Sequence, residues 1–384
     1  MSGKTILVLG GGLGGITAAG ALRRQCAPGH RVVVIERRST FSLQMANLWL
    51  MTGERERAEE GERDLARLAR HGIEWSQAEI EAIDPAARIV RTSAGEFSGD
   101  YVVIALGAEH RPEAIPGFVE AALDLYDPAG AVRIREALAG FTGGRVMVLV
   151  ARTPFSCPSA PYEAAFLIES ILRRQGVGAQ SQVAVYSPED LPMPVAGREV
   201  GEALVRMMRE RGIEFHPERI VMKIDASTRT ARFELEDAKF DLLVGVPPHR
   251  APEALRKAKL TDATGWVPVD AVTLRTRFPG VYAIGDATSI RLPIGMFLPK
   301  AGVFADEQAR VVAESIAAEI AGGSAARRFD GRGFCYIETG SELAAYGEGN
   351  FYGMPSPTIT LEPPSAHYRE EKRAIERAAQ VLWM

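Results

Sequence analysis

The sequence predicts an α/β chain of two Rossmann-like dinucleotide-binding domains, the second inserted in the first, plus a C-terminal segment. Three observations predict it. A strand, glycine loop, helix, strand and acid follow one another over Thr5–Glu36; two later apolar runs, Asp100–Gly107 and Gly280–Asp286, end in small residues; and a second alternation of apolar and amphipathic stretches fills the interval between them. A length of 384 residues suits two or three domains. A composition of 46% hydrophobic and 24% charged residues is that of a chain able to bury large cores. The net charge of -4 argues against a nucleic-acid partner, which calls for a basic surface. Apolar runs such as Val146–Ala151 fall far short of the roughly 20 residues that cross a bilayer. The first apolar run leads into glycines rather than a cleavage site, so no leader is expected. Three cysteines are too few for a disulfide scaffold, and in such a chain a cysteine pair points to catalysis. The expectation is a cytoplasmic multidomain enzyme.

Thr5-Ile-Leu-Val-Leu9 is apolar and rich in β-branched residues, the pattern of a buried strand. It runs into Gly10-Gly11-Gly12-Leu13-Gly14-Gly15. A helix follows with Ile16, Ala19 and Leu22 on one face, stopped by Ala27-Pro28-Gly29; the strand Arg31–Ile35 then ends in Glu36. This is the context that the dinucleotide fingerprint G-x-G-x-x-G requires. Gly10 permits the tight turn, Gly12 lets the backbone approach a pyrophosphate, and Gly15 lets the helix pack on the strand. The helix start at Leu13 and Gly14 offers free N–H groups to the phosphates. Glu36 stands where a carboxylate accepts from both hydroxyls of an adenosine ribose. Arg37 follows it at the rim of that cofactor site, although Arg37 and Arg38 read chiefly as solvated.

Together with the fingerprint, Asp100–Gly107 and Gly280–Asp286 resemble the three FAD-binding segments of the flavoprotein disulfide reductase superfamily. The resemblance implies FAD, with Ala105 and Gly107 at the cofactor, Asp286 on the ribityl hydroxyls and Gly285 allowing close approach. The middle segment has Ala105-Leu106-Gly107 where the superfamily has Ala-Thr-Gly, so a threonine hydrogen bond is lost. The expected FAD-binding domain comprises 1–112 and 262–322, the second Rossmann-like domain 113–261, and the C-terminal segment 323–384.

Within the second domain, strands are expected over Arg145–Ala151, Gln182–Tyr186 and Phe240–Val246, with helices over Tyr162–Arg174 and Arg198–Arg211. Its first turn, Ala151–Glu163, contains no glycine, and prolines at 154, 158 and 161 remove N–H donors that a phosphate needs. The strand ending at Tyr186 is followed by Ser187 rather than a ribose-binding acid. A nicotinamide site is therefore not expected. In its place stands Cys157, just before a helix whose N-terminus favours thiolate. Glu163 opposes that charge but suits a general base. Cys335 lies in Gly331–Tyr336, and Cys26 at the end of the first helix reads as core.

Phe155-Ser-Cys-Pro-Ser-Ala-Pro-Tyr-Glu163 and Pro299-Lys-Ala-Gly-Val-Phe-Ala305 with Gln308-Ala309 resemble the sulfide:quinone oxidoreductases and the flavoprotein subunit of flavocytochrome c sulfide dehydrogenase, over Thr5 to about Ile337. The resemblance implies that Cys157 and Cys335 form a redox disulfide and persulfide relay with Glu163 beside it. It also implies that Lys300 and the helix over Ala301–Ala321 stabilise reduced flavin, and that sulfide is oxidised with electrons passing to a quinone or other acceptor. Two departures matter. No third cysteine occurs in 105–145, and Phe41–Asn47 lacks the cysteine that attaches flavin in the flavocytochrome subunit, so the FAD is expected to be non-covalent.

In the C-terminal segment Ile375, Ala378, Ala379 and Leu382 follow helical spacing before Trp383-Met384. Such a helix packs on the flavin domain or on a second subunit, or it makes peripheral contact at the inner face of the membrane; homo-oligomerisation stays open. Phe334, Tyr336, Phe351 and Tyr352 are candidates for stacking on a quinone. Glu54–Arg70 reads as a solvated helix, His249 as structural, and no His/Cys cluster has metal-ligand spacing. The rivals are a type II NADH dehydrogenase-like enzyme, against which the missing second glycine loop argues, and a non-enzymatic flavin redox sensor.

Overall fold

The computed structural model describes residues 3–381. The chain opens with β1 (Thr5–Leu9), α1 (Leu13–Gln25) and β2 (Arg31–Glu36), followed by β3 (Glu74–Gln77) and β4 (Tyr101–Ile104). Five more strands come next: β5 (Leu123–Asp124), β6 (Gly144–Val150), β7 (Ser181–Tyr186), β8 (Glu214–His216) and β9 (Leu242–Val246). Between them lie α2 (Ala160–Arg174) and α3 (Arg198–Glu210). The chain then returns through β10 (Val281–Ala283) and α4 (Gly302–Ile320).

These strands form two parallel sheets, ordered β10–β4–β1–β2–β3 and β5–β9–β6–β7–β8. Parallel strands are covered on both faces and so read as unbroken apolar runs. Ile6 to Leu9 and Val146 to Val150 are accordingly buried along their whole length. In each sheet the strand order reverses beside the first strand of the unit, β1 or β6. The crevice at the C-terminal end of such a strand is where doubly wound sheets bind ligands. The glycine loop leaves the end of β1, and the cysteine loop leaves the end of β6. All residues of the second sheet lie between β4 and β10 in the chain.

The C-terminal segment holds an element that the helical pattern did not reveal. β11 (Arg332–Gly340), β12 (Leu343–Asn350) and β13 (Thr358–Ser365) form an antiparallel sheet, and α5 (Ala366–Val381) follows. Side chains alternate across a strand, so Gly333, Cys335 and Ile337 face inward while Phe334 and Tyr336 face out. Gly333 is required there, because a Cβ would stand 2.3 Å from the Phe304 ring of α4.

α5 departs from its predicted apolar face. Ala379 is buried, but Ala378 is exposed and Ile375 only half-buried, and Leu382, Trp383 and Met384 lie outside the described residues. The residues that α5 buries are largely charged: Arg369, Lys372 and Glu376. Their partners explain this. Lys372 Nζ lies 3.0 Å from Glu338 Oε1 and also contacts Glu163; Arg369 Nη2 lies 2.6 Å from Glu54 Oε1; and Arg55 Nη2 lies 2.6 Å from Glu376 Oε2.

The stretch Glu54–Arg70 is likewise not a solvated helix. It comprises short 3₁₀ turns, Ala58–Gly61 and Leu65–His71, and a two-residue strand, Arg63–Asp64. Most of its charges are exposed, as expected, but Glu54 and Arg55 also pair with α5. Removing one partner of a buried ion pair costs about 3–5 kcal/mol, because the remaining charge is left without compensation. Lys372→Met strands two buried carboxylates, Glu163 and Glu338, and is expected to lower the unfolding free energy by about that amount in chemical denaturation; a change under about 1 kcal/mol would count against the pairing.

Candidate functional site

The glycine loop has the geometry of a phosphate cradle. Gly10 has φ +108°, and a Cβ there would stand 2.3 Å from the Ala105 carbonyl oxygen. At Gly15 a Cβ would stand 2.0 Å from the Gly10 carbonyl oxygen, so α1 approaches the loop at a distance only glycine permits. At Gly12, the residue that caps α1 without a side-chain hydrogen bond, a Cβ would meet no atom within 4 Å. Leu13 and Gly14 form the first turn of α1, whose N–H groups have no intrahelical partner; Gly14 also packs against Ala305 of α4. Ala105 N donates to the Leu9 carbonyl at 2.8 Å, and Gly107 has φ +65° with no atom within 4 Å of a Cβ.

Glu36 lies buried at the end of β2. Its Oε2 accepts from Gly11 N at 2.7 Å, and its Oε1 from Arg38 N and Nε at 3.0 Å each. Burial alone would raise its carboxyl, but the Arg38 guanidinium and the N–H groups outweigh burial and hold it below the usual range. Arg38, read from the sequence as solvated, is thus the ion partner of the acid. Arg37 has a side chain 62% exposed and lies 3.7 Å from Glu79. Its place is a surface ion pair.

The Gly-Asp turn meets the cysteine loop. Gly285 has φ +65°, and its N donates to Gln308 Oε1 of α4 at 2.7 Å. Asp286 Oδ2 accepts from Ser156 Oγ at 2.5 Å. Lys300 is buried, with Nζ donating to the carbonyls of Asp286 (2.6 Å) and Thr288 (3.1 Å) and lying 3.4 Å from the Trp266 ring centroid. Burial pushes the Lys300 ammonium down to about 8, against the pull of Asp286. The Lys300 carbonyl accepts from Cys157 N at 2.6 Å, and Tyr126 Oη donates to the carbonyls of Ser156 (2.6 Å) and Cys157 (3.2 Å). The cysteine loop is therefore held by the residues that flank the expected ribityl site.

Cys157 has φ +48° and precedes α2; Cys335 lies on the inner face of β11. Both are free thiols that reach one hydroxyl. Cys335 Sγ donates to Ser159 Oγ at 3.2 Å, and Cys157 Sγ lies 3.9 Å from the same oxygen. Ser159 Oγ donates to Glu163 Oε2 at 3.0 Å, while Glu163 Oε1 accepts from Glu338 N at 2.8 Å and from Lys372. Spacing in the sequence does not bring Cys157, Glu163 and Cys335 together; the folding of β11 over α2 does.

The electrostatics correct one expectation. A helix N-terminus favours thiolate, but burial and the Glu163 carboxylate outweigh it. Cys157 is pushed up to about 11, chiefly by burial, and Cys335 to about 12 by burial, Glu163 and Cys157. Glu163 is itself raised, by burial and by Glu338, although Lys372 pulls it down. Both shifts disfavour thiolate in the reduced pair.

The second switch point is closed by side chains. Arg152 Nη1 donates to the carbonyls of Ala151 (2.6 Å) and Val221 (2.8 Å), pinning the loop to the strand Val221–Asp225 of a separate antiparallel sheet. Glu189, two residues past Ser187, is an acid that sequence reading passed over; its carboxylate accepts from Tyr162 and from Ser187. Both groups are spent inside the protein rather than offered to a nucleotide.

A family model described as pyridine nucleotide-disulphide oxidoreductase matches residues 4–309, which span both parallel sheets. The chain belongs to this family. It is an oxidoreductase and a flavoprotein with FAD as its cofactor, in keeping with the cradle at Gly12 and Gly107. It is 25% identical over 378 residues to the mitochondrial sulfide:quinone oxidoreductase of Mus musculus, covering 93% of this chain and 80% of that protein. To the sulfide-quinone reductase of Aquifex aeolicus it is 25% identical over 341 residues, covering 83% and 77%. The X-ray structure of the sulfide:quinone oxidoreductase from Aquifex aeolicus superposes with a TM-score of 0.86 over 98% of this chain and 90% of that one, at 23% identity.

Of the four candidate aromatics, Phe351 and Tyr352 pack in the core against Phe304 and Phe329. Phe334 and Tyr336 join Tyr346 and Tyr368 in a surface cluster with ring centroids 5.0–6.5 Å apart. The His249 ring lies tilted against that of His110, with centroids 4.4 Å apart. Among the described residues no group of three or more His, Cys, Asp or Glu could hold a metal, and no helix is long and apolar enough to cross a membrane.

Because thiolate is the reactive form, iodoacetamide should label Cys157 and Cys335 slowly at pH 7. The rate should rise about tenfold per pH unit toward pH 10, as expected for thiols titrating near 11 and 12. A plateau below pH 8, read by mass spectrometry of quenched samples, would contradict these thiol assignments.

Proposed function

We propose that the protein oxidises sulfide through Cys157 and Cys335 and passes the electrons, by way of FAD, to a quinone or another acceptor. The observation that carries this reading is the meeting of both thiols on Ser159, on a loop bound to Asp286 and Lys300. A pair of thiols beside the expected flavin site suits two-electron chemistry, and the nicotinamide alternative lacks its glycine loop and has Arg152 and Glu189 engaged elsewhere.

In the oxidised protein the two sulfurs form a disulfide. Hydrosulfide attacks one of them, the S–S bond breaks, and a persulfide and a thiolate result. Bound FAD supplies the site that takes up the electron pair. Gly10, Gly12, Leu13, Gly14 and Gly15 would hold its pyrophosphate, Glu36 its ribose, and Ala105, Gly107, Gly285 and Asp286 the middle of the molecule. Lys300 fixes the Gly-Asp turn against the cysteine loop, so that cofactor and sulfur stay in register. Glu163 serves as proton acceptor for incoming hydrogen sulfide. With no cysteine in Phe41–Asn47, the FAD is held without a covalent bond. The surface cluster of Phe334, Tyr336, Tyr346 and Tyr368 suits an apolar acceptor ring, since aromatic faces stack favourably.

The test is anaerobic. Stoichiometric sulfide should bleach the visible flavin spectrum and NADH should not. Cys157→Ser and Cys335→Ser should each slow the sulfide reaction at least about 10²-fold, the scale on which loss of a reacting group acts. Wild-type bleaching in Cys157→Ser would sink the cysteine mechanism, and bleaching by NADH alone would restore the second dinucleotide site. Acid precipitation should release all of the FAD.

A further inference from the structure

Proton traffic at the thiol pair has a defined route. Cys335 Sγ, Ser159 Oγ and Glu163 Oε2 form a chain of hydrogen bonds of 3.2 and 3.0 Å. Its acid end is sheltered, Ser159 and Glu163 being each 1% exposed, while Cys335 is half-buried. The other contact of Cys335 Sγ, the Tyr336 carbonyl at 3.6 Å, cannot take a proton. The Glu163 carboxylate divides its two oxygens between separate tasks. Oε1 is anchored by Glu338 N and Lys372, and Oε2 faces the serine. We propose that Ser159 relays a proton between Glu163 and Cys335, with Lys372 of the C-terminal helix fixing the carboxylate at which the relay ends.

The proposal rests on the sulfide reading above and adds a residue to it. The charged and titratable groups facing the relay come from four elements: Cys157 and Glu163 at the start of α2, Asp286 in the Gly-Asp turn, Glu338 on β11 with Arg369 behind it, and Lys372 on α5. Tyr126 also faces it through the Cys157 carbonyl. The carboxylates outnumber the cations around the sulfurs, and a thiolate released there is costly until it is protonated.

The balanced step follows. Hydrogen sulfide gives a proton to the Glu163 carboxylate and becomes hydrosulfide. Hydrosulfide attacks Cys157 Sγ, the bond from Cys157 to Cys335 breaks, and its electron pair leaves on Cys335. The Glu163 proton passes to Ser159 Oγ as the serine proton passes to Cys335. The products are a Cys157 persulfide and a Cys335 thiol, formed from one disulfide and one hydrogen sulfide with no net proton. Cys335 is the leaving sulfur because it sits 3.2 Å from the hydroxyl, against 3.9 Å for Cys157. The same wire run backwards carries the proton away when Cys335 must ionise.

The experiment uses the FAD-loaded enzyme, mixed anaerobically with sulfide, quenched with an alkylating agent and read by mass spectrometry for persulfide at each cysteine. Parallel samples are run from pH 6 to 9 and in D₂O. In wild type the persulfide should sit on Cys157, with a solvent isotope effect on its formation. Ser159→Ala should slow it about 10²-fold, the scale of general acid–base assistance, abolish the isotope effect, and raise the pH at which Cys335 becomes alkylated. Ser159→Thr, which keeps the hydroxyl, should recover to within a few fold. Glu163→Gln should be as slow as Ser159→Ala and gives an independent variant if the alanine protein folds poorly. A wild-type rate in either Ser159→Ala or Glu163→Gln overturns the relay, as does a slow Ser159→Thr, which would mark a packing role. Persulfide on Cys335 reverses the assigned leaving group and overturns it as well. If Cys157→Ser reacts like wild type, it is the underlying sulfide reading that fails.

Discussion

A carboxylate buried beside two sulfurs demands a cation, and that demand organises the molecule. Glu163 is placed by α2, deep in the second parallel unit, and among the described residues its counter-charge comes from outside that unit. Its partner Lys372 is supplied by α5, more than two hundred positions along the chain. The same lysine answers Glu338 on β11, and Trp49 Nε1 donates to Glu338 at 2.9 Å from the first parallel unit. A charge without a counter-charge in such surroundings costs several kcal/mol. The C-terminal sheet and helix must therefore close over the cysteine loop for the site to exist, and closing them brings Cys335 to Ser159.

The second parallel unit keeps the architecture of a nucleotide-binding domain, while the loop at its switch point carries a cysteine. The loop leaving β6 is fastened at Ser156, Cys157 and Arg152, through Asp286, Lys300, Tyr126 and Val221. A glycine loop would leave backbone N–H groups available to a phosphate; this one uses its backbone to lock a sulfur in place. Rigidity of this kind matters for thiol chemistry, since displacement at sulfur proceeds only when the attacking and leaving atoms are held in line.

Much of this was legible beforehand, for physical reasons. Parallel strands buried on both faces produce unbroken apolar runs, so β1, β2, β6, β7 and β9 stand out, and glycines forced by steric contact, such as Gly10 and Gly15, mark the fingerprint. Cys157 and Glu163 are only six positions apart and share a loop and a helix start. The ion network was not legible. Arg369, Lys372 and Glu376 look like any polar face of a helix, and nothing in their spacing says that this face turns inward. In Glu54–Arg70 the exposed charges were legible, but not the pairing of Glu54 and Arg55 across the fold, because charges that pair resemble charges that face water. Ser159 sat within the quoted motif, yet only the folded chain shows that its hydroxyl serves both sulfurs. The antiparallel sheet was hidden by its own glycines and by Pro363-Pro364, which interrupt the alternation of β11 to β13.

β11 is one strand thick between a thiol and a solvent-facing aromatic surface. Phe334 is 39% exposed on one side, and Cys335 points to the buried carboxylates on the other. Because sidedness flips with every residue, inserting or deleting a single amino acid upstream of Cys335 within the strand would turn the thiol out into solvent and push a ring among the charges. Length variation in descendants of this chain should therefore collect in the connection between β12 and β13, where Met354 is open to solvent, and be purged from Arg332–Ile337.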